Sequence, residues 1–237
     1  MSFKKKAVSI IIPTLNEVLN LEILVSKINR YLKKSIYEII IVDDNSVDGS
    51  KEVLSKLKKK NQYLRFYIRS KSPDLSQSCQ LGFKKSKFDN IIVMDGDLQH
   101  DPKYLPIMIN LFFSKKNDFL IATRNFSKEI MGKPRFILSF ILVKIINILL
   151  GYRTADPMSG FFIFKKSIYL RNKSRLYGLG FKILFDLLYA EIDSLLIKEF
   201  PFKFNNRKYH KSKMNFKTLY ILVKMIMFYL KKKVFRL

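Results

Sequence analysis

The chain has 237 residues, 48% of them hydrophobic, which is long enough for one sizeable core and too apolar for a disordered protein. Its 45 Lys and Arg residues against 19 Asp and Glu give a formal charge of +26, which predicts an anionic partner: nucleic acid, a lipid surface or a phosphorylated substrate. A lysine-rich composition with no such partner is the alternative. The single cysteine, Cys79, excludes an internal disulfide, and two histidines far apart in sequence disfavour a zinc site.

The first half of the chain alternates predicted strands with predicted helices. The strands are expected at residues 7–12, 37–42, 64–68, 90–94 and 118–123, where apolar runs are bounded by turn residues. The helices are expected from the turn at 13–17 to about Lys34, from about Asp48, over 75–87, and from Pro102, a residue suited to a first helical turn. This alternation predicts a doubly wound α/β domain with a mostly parallel sheet and flanking helices.

The alternation loosens after residue 123. The sequence predicts a loop at 156–160 that leads into a short strand, a helix over 181–191, an extended segment over 196–204 and a basic loop at 207–213. We expect a main domain over residues 1–213, which includes an amphipathic interface helix at about 134–150, and a basic amphipathic helix over 214–237.

Two strongly apolar helices, over 136–150 and 216–230, carry lysines at helical spacing. The first is too short for a membrane span, which needs about 20 apolar residues. Both are predicted to lie on an anionic bilayer with lysines at the head groups, and packing on the core is the alternative. With no signal peptide predicted, we expect a cytoplasmic protein bound peripherally to a membrane, either by itself or through a separate membrane subunit.

Acidic turns follow three of the predicted strands, at Glu17, at Asp43 and Asp44, and at Asp95 and Asp97. Strands of a parallel sheet end at one edge, so these turns would meet along one rim, where ligands of such folds bind. A single Asp-x-Asp turn is as consistent with a solvated acidic loop. In extended backbone, however, two carboxylates at this spacing point the same way and suit Mg²⁺ or Mn²⁺ together with substrate phosphates.

The chain resembles the inverting glycosyltransferases of family 2, which have the GT-A fold, and among them the polyprenyl-phosphate sugar transferases of the dolichyl-phosphate mannose synthase group. The matching motifs are Pro-Thr-Leu-Asn-Glu at 13–17, Val-Asp-Asp-Asn-Ser at 42–46, Asp-Gly-Asp-Leu-Gln-His at 95–100, Asp-Pro-Met-Ser-Gly-Phe at 156–161, and the basic loop at 207–213. The chain departs from the family in having Asp-Leu-Ser at 74–76, where a Gly-Leu-Gly step is common. Because it has no tryptophan, it cannot carry the Gln-x-x-Arg-Trp motif of processive polysaccharide synthases.

The resemblance implies a role for each matching residue. The nucleotide pocket would be lined by Pro13, Leu15, Glu17, Val42 and Asp44. The divalent metal and the diphosphate would be held by Asp95, Asp97 and Gln99, with Gly96 letting the ligand approach the main chain. Further cations and polar groups for the sugar and the phosphates would be Arg124, Arg153, Ser159, Lys182, Arg207 and Lys213. Asp97 or Asp156 would assist or orient the reaction.

The implied reaction moves a hexose from a nucleotide-diphosphate sugar, of the GDP-mannose or UDP-glucose type, to a polyprenyl monophosphate at the membrane surface. Two alternatives stay open at this point. One is a soluble family 2 glycosyltransferase that acts on a glycan or a protein. The other is a basic nucleic-acid-binding protein, which the acidic strand ends and the scattered lysines disfavour.

Overall fold

The computed structural model describes residues 6–124, 141–148, 151–191, 194–203, 205 and 216–235. Seven strands in this part of the chain form one sheet: β1 (Ala7–Thr14), β2 (Ile36–Asp43), β3 (Leu64–Ile68), β4 (Asn90–Val93), β5 (Phe119–Arg124), β6 (Phe162–Lys165) and β7 (Ile197–Phe202). The helices are α1 (Val18–Tyr31), α2 (Ser50–Lys60), α3 (Leu75–Lys85), α4 (Leu105–Phe113), α5 (Lys166–Asn172), α6 (Ile183–Ala190) and α7 (Phe216–Phe235). A 3₁₀ turn at Pro102–Tyr104 precedes α4, and residues 141–148 are also helical.

Both faces of the sheet are covered, as its sequence pattern predicts. Along β1, Ile10 and Ile12 pack with α1, α2 and α4, whereas the intervening Ile11 packs on the opposite side with α3 and α6. A Cβ atom on Gly82 of α3 would lie 2.3 Å from Ile11 Cγ2, so the absence of a side chain lets this helix approach the sheet closely. The structure confirms a doubly wound α/β domain with flanking helices.

The sheet is mostly parallel, but its order β3-β2-β1-β4-β6-β5-β7 places one antiparallel strand in the middle. Strand β6 pairs antiparallel with both β4 and β5, and Phe162 at its start lies opposite Val93, the last residue of β4, and opposite Ile121 in the middle of β5. The sequence does not reveal this reversal or helix α5. Its consequence is that the loop at 156–161, which leads into β6, reaches the same rim as the loops that follow β1, β2 and β4.

The C-terminal helix α7 packs through one face and exposes the other. Leu222, Met225, Ile226 and Tyr229 are buried in a third apolar cluster with the 141–148 helix and α6. Packing on the core, which was predicted as the alternative to membrane contact, therefore accounts for one face of α7. The opposite, exposed face is the one to which the predicted contact with a bilayer applies. None of the helices in the described ranges is long and apolar enough to cross a membrane. The boundary predicted at residue 213 lies outside those ranges and stays a prediction.

Candidate active site

The loops after β1, β2 and β4 form adjacent parts of one rim. Each holds one residue other than glycine in the left-handed region, with φ of 52° at Asn16, 64° at Asn45 and 63° at Leu98. Such conformations are costly and concentrate at binding sites, because the surrounding structure has to hold them in place. The three acidic turns predicted from the sequence thus share both their location and a constrained backbone.

The loops after β1 and β2 are tied together by hydrogen bonds. The amide of Asn16 donates to the Ser46 hydroxyl at 2.7 Å, and the side-chain oxygen of Asn16 accepts from the Val47 amide at 3.0 Å. Asp43 accepts from the amide and the hydroxyl of Ser46, at 2.8 and 2.6 Å. These contacts fix the walls of the predicted nucleotide pocket before any ligand binds.

The residues predicted for that pocket lie along these two loops. Pro13 and Val42 are buried at the ends of their strands, and Leu15 is half-buried. Glu17 is buried and accepts from the side-chain amide of Asn20 at 2.7 Å, which also places it at the start of α1. The structure therefore brings all four together at the carboxyl ends of β1 and β2.

Asp44 is buried directly after β2, and its carboxylate is already engaged. One oxygen accepts from the guanidinium of Arg69, and the other accepts from the amide of Asp74. Desolvation raises the pKa of Asp44, and the hydrogen bonds from Asp74 and Arg69 oppose that effect. Arg69 belongs to none of the motifs, and no role was predicted for it. Its position directly after β3 is the signal that could have found it, since Asp44 stands at the same point after β2.

Asp95 and Asp97 follow β4, but their surroundings differ. The Asp95 side chain is 35% exposed and lies against the backbone of Gly160, where a Cβ atom would be only 2.9 Å from Oδ2. Asp97 is 3% exposed, and its Oδ1 accepts from the amide of Gln99 at 3.0 Å. Loss of solvent raises the pKa of Asp95, and the negative charge of Asp97 raises it further. Two neighbouring carboxylates with this mutual repulsion favour the binding of a cation.

Gly96 is buried, and its absent side chain makes room for a neighbouring side chain. A Cβ atom there would lie 2.8 Å from Thr14 Cγ2. The resemblance implies that Gly96 lets a ligand approach the main chain. In the structure the side chain of Thr14, at the end of β1, packs closely against Gly96. Packing alone therefore explains why a glycine stands at this position.

His100 holds the loop at 95–101 in place from inside the protein. Its Nδ1 accepts from the amide of Asp95 at 3.0 Å, and its ring stacks on Phe161 at a centroid distance of 5.0 Å. Burial lowers the pKa of His100, in agreement with a neutral ring whose Nδ1 is an acceptor. The sequence analysis gave His100 only as part of a motif, whereas the structure shows that it joins the loop after β4 to the loop before β6.

Gln99 points toward the segment that leads into the basic loop. The side-chain nitrogen of Gln99 donates to the backbone carbonyl of Asn205 at 3.1 Å. The backbone carbonyl of Gln99 accepts from the backbone amide of Asn205 at 3.2 Å. The first bond engages the side-chain nitrogen of a residue predicted to hold metal and diphosphate, and the second is made by its backbone. Arg207 and Lys213, predicted to close over the diphosphate, lie outside the described residues.

A buried ion pair stands beside the acidic turn. Asp156 is fully buried, and its two oxygens accept from Nε and Nη2 of Arg124 at 2.7 Å each. Burial alone would lower the pKa of Arg124, but the carboxylate of Asp156 raises it above its ordinary value. The geometry makes Asp156 an anchor that aims Arg124 at the rim, and both of its oxygens are occupied in that task.

Lys182 completes the cationic side of the site. It stands at the amino end of α6, with Nζ 3.4 Å from the carbonyl of Met158. Its pKa is lowered to about 8, mainly by desolvation and also by the charge of Arg124, while Asp156 and Asp95 oppose both effects. These couplings place Lys182 among the charged residues of the rim. Lys182 and Arg124 are therefore both cations that interact electrostatically with Asp95.

Two other predicted residues make structural contacts. The hydroxyl of Ser159 donates to the carbonyl of Ala122 at 2.7 Å and accepts from the amide of Phe161 at 3.1 Å, which fastens the 156–161 loop to β5. Arg153 donates to the carbonyl of Glu191, next to the carboxyl end of α6. Neither contact places the side chain with the charged groups at the rim.

The donor set fits a divalent metal that the substrate helps to bind. In the described part of the chain, no three His, Cys, Asp or Glu side chains converge into a complete metal site. Asp95 and Asp97 nevertheless supply two hard oxygen ligands at a strand end. Mg²⁺ and Mn²⁺ are commonly held by one or two carboxylates plus phosphate oxygens. The residues thus fit a metal bound together with a diphosphate better than one held by protein alone.

The sheet order and the acidic rim define a glycosyltransferase of the GT-A class. Residues 9–171 match the sequence profile of Glycosyl transferase family 2. The chain is 35% identical over 224 residues to a dolichol-phosphate mannosyltransferase of Pyrococcus furiosus, and 34% identical over 221 residues to one of Mycosarcoma maydis. The chain therefore belongs to glycosyl transferase family 2, which confirms the resemblance seen in its motifs.

These alignments cover most of the chain but less of the relatives. They include 90% of this chain in both cases, but 60% of the Pyrococcus protein and 75% of the Mycosarcoma protein. Among solved structures, glucosyl-3-phosphoglycerate synthase from Mycobacterium tuberculosis superposes with a TM-score of 0.70 at 15% identity, over 94% of this chain and 78% of that one. A complex of the same enzyme with Mn²⁺, UDP and glucosyl-3-phosphoglycerate has a TM-score of 0.68 at 16% identity, over 93% and 76%. At these identities the likeness supports the fold alone.

Proposed function

We propose that the protein transfers a hexose from a nucleotide-diphosphate sugar to a polyprenyl monophosphate, with inversion at the anomeric carbon. The observation that carries this proposal is the pairing of an acidic turn, Asp95 and Asp97, with two cations, Arg124 and Lys182, at the carboxyl edge of the sheet. Such a site can take two anionic groups at once, the diphosphate of a donor and the phosphate of an acceptor. The two relatives named dolichol-phosphate mannosyltransferase support the same reaction class.

The donor nucleotide would occupy the loops after β1 and β2. Arg69 and the amide of Asp74 hold the carboxylate of Asp44 in one orientation. Asp44 would then accept a hydrogen bond from the base or the ribose without first losing an ordered water shell. Pro13, Leu15, Glu17 and Val42 would form the walls. GDP- and UDP-sugars both fit this description, and the sugar and nucleotide are left to experiment.

The diphosphate would lie at Asp95 and Asp97 together with Mg²⁺ or Mn²⁺. When bound, such a metal stabilises the negative charge that develops on the departing nucleoside diphosphate. Asp97 is kept in place by the Gln99 amide, and Asp95 by Gly160 and His100. We further propose that Gln99 acts by fixing the segment at Asn205, from which Arg207 and Lys213 would close over the diphosphate.

The acceptor phosphate would meet Arg124 and Lys182. Its oxygen attacks the anomeric carbon, the bond to the diphosphate breaks, and the nucleoside diphosphate leaves with the electron pair. A phosphate monoester has a second pKa of about 6 and is therefore mostly dianionic at neutral pH, so the attack needs no base. Both oxygens of Asp156 are held by Arg124. Asp156 would accordingly act as a positioning residue, and the resemblance adds Arg153 and Ser159 as candidates for contact with the acceptor phosphate.

We propose that the exposed faces of α7 and of the 141–148 helix rest on an anionic bilayer. On α7 this face carries Tyr220, Val223, Met227 and Phe235, all about half exposed or more, interspersed with Lys224 and Lys231. On the shorter helix it carries Ile141, Ile145 and Ile148. Apolar side chains next to lysines are the pattern of helices that lie in the head-group region. A lipid acceptor would make this location useful.

The test is release of nucleoside diphosphate from a panel of GDP- and UDP-sugars, with Mg²⁺ or Mn²⁺, in the presence and absence of a polyprenyl phosphate in detergent. We expect release from one donor that requires both the metal and the lipid phosphate, with the sugar recovered in the lipid. Release that is independent of the lipid, or transfer to water-soluble glycans or proteins in its absence, would contradict the proposal. That result would favour the soluble glycosyltransferase alternative.

A further inference from the structure

The loop at 177–182 carries Lys182 to the rim and is fastened on one side to α3. Within it, Gly180 has a φ of 97°, a conformation that favours glycine. The Gly180 amide donates to Asp74 Oδ2 at 2.7 Å, and its carbonyl accepts from the Ser76 amide at 2.8 Å. Asp74 is also the residue whose amide holds Asp44. The loop is therefore built into the donor side of the site.

The other side of this loop is fastened to a fully buried carboxylate on α6. Asp186 accepts from the amides of Tyr177 and Gly178 at 2.8 Å each. It also accepts from the hydroxyl of Tyr229, a buried residue of α7. Burial raises the pKa of Asp186, and the hydrogen bond from Tyr229 is the largest of the effects that oppose this rise. The C-terminal helix thus supplies one of three donors to the carboxylate that shapes the loop.

A second contact joins α7 to the same loop. A Cβ atom on Gly180 would lie 2.7 Å from Cγ2 of Ile221, so this side chain presses directly on the glycine backbone. Tyr229 and Ile221 stand eight residues apart, about two helical turns, and therefore lie on one side of α7. One helix face consequently holds the loop at two points.

We propose that Tyr229 is a positioning residue for the transfer reaction, because its hydrogen bond to Asp186 sets the path of the 177–182 loop and hence the place of Lys182. The inference rests on the proposed function, in which Lys182 meets the acceptor phosphate. It gives α7 a role in the site besides membrane contact. Without the hydroxyl, the buried carboxylate of Asp186 loses a donor and moves toward its remaining ones, and the loop moves with it.

The experiment compares Tyr229→Phe with a matched control, Tyr37→Phe, in the full chain. Tyr37 is buried, as Tyr229 is, and its hydroxyl donates to the side-chain oxygen of Asn29 at 2.8 Å. It lies at the amino end of β2, away from the rim. Each variant loses one tyrosine hydroxyl, which donates to the carboxylate and the main-chain carbonyl of Asp186 in the case of Tyr229 and to the Asn29 side chain in the case of Tyr37. The readouts are kcat and KM with donor and polyprenyl phosphate, and calorimetric binding of the nucleoside diphosphate.

We expect Tyr229→Phe to lower kcat by about 10- to 100-fold, because a small displacement of a group at the reacting centre has effects of that size. Nucleoside diphosphate should bind with full stoichiometry and an affinity within about twofold of the unsubstituted protein, since Arg69 still holds Asp44. Tyr37→Phe should leave kcat within about twofold. Ile221→Ala serves as a second variant if loss of the buried hydroxyl prevents folding, and should show the same separation of kcat from binding.

Equal kcat values for Tyr229→Phe and Tyr37→Phe would overturn the inference. If Tyr229→Phe loses turnover and nucleotide-binding stoichiometry to the same extent, the protein is unfolded and Ile221→Ala becomes the deciding variant; a kcat for Ile221→Ala equal to that of Tyr37→Phe would then overturn the inference. Failure of the proposed function is recognised separately, as lack of transfer to polyprenyl phosphate by the unsubstituted protein.

Discussion

Replacement of Asp156 by Asn isolates the buried ion pair with Arg124. The carboxamide has the shape of the carboxylate, but it carries no charge and turns one acceptor into a donor that faces the guanidinium. In the structure both oxygens of Asp156 accept from Arg124 at 2.7 Å, and no part of the residue is exposed. The substitution therefore leaves a cation in the protein interior without its main partner, and cavity formation plays no part.

The expected cost is about 3 kcal/mol in the free energy of unfolding. Removal of one partner from a buried ion pair typically costs about 3–5 kcal/mol. The Arg124 side chain is 19% exposed, and Asp95 compensates part of its charge, which places this pair at the lower end. The double variant Arg124→Met, Asp156→Leu removes both charges and should lie within about 1 kcal/mol of the unsubstituted protein.

The assay is urea unfolding followed by circular dichroism, with Asp118→Asn as the control. Asp118 pairs with Lys165 at 2.8 Å, but the lysine side chain is 40% exposed, so we expect a loss below about 1 kcal/mol. Both Asp156→Asn and the double variant should be inactive, because neither presents Arg124 correctly. A loss below about 1 kcal/mol in Asp156→Asn would refute the reasoning, since the pair would then contribute no more than a surface one.

Three further predictions follow from the site and the exposed helix face. Asp97→Asn should lower kcat/KM in the transfer assay by about 100-fold or more, whereas the control Asp101→Asn should have little effect. Equal effects of the two substitutions would exclude a specific role of Asp97. The Lys182 ammonium is charged below its pKa of about 8, so kcat/KM should fall as the pH rises through that value. In Lys182→Arg the decline should move above about pH 10, because a guanidinium stays charged there. Met227→Glu should lower the fraction of protein that sediments with anionic vesicles at low salt about fivefold. Ile107→Glu, a control on α4 whose side chain is equally exposed, should leave that fraction unchanged. Equal binding by both variants would argue against the proposed face.

Much of the fold could be predicted from local pattern. The strands β1 to β4 are short apolar runs, and each is followed by a polar turn, which indicates a strand whatever lies beside it. Helix α5 and the antiparallel pairing of β6 could not be predicted in this way. The segment Phe162–Lys165 has the same apolar character whether it runs parallel or antiparallel, and its direction depends on which strands flank it.

The site divides in a similar manner. Asp44, Asp95 and Asp97 could be singled out because a carboxylate directly after a buried strand is exceptional within a chain of net positive charge. Arg69 and His100 were not assigned roles, since an arginine or histidine near a turn is ordinary until its partner is known. Their contacts, with Asp44 and with the amide of Asp95, become visible only in three dimensions.

The sequence by itself determined the doubly wound architecture, the acidic rim and the family, because these follow from residues close together in the chain. Only the tertiary structure decided which charges meet. Arg124 and Asp156 are 32 positions apart, and Asp186 and Tyr229 are 43 apart. Buried polar groups must find partners wherever the fold places them, since an unpaired one is costly. The partner of each buried charge is therefore a property of the packed chain, and local sequence does not contain it.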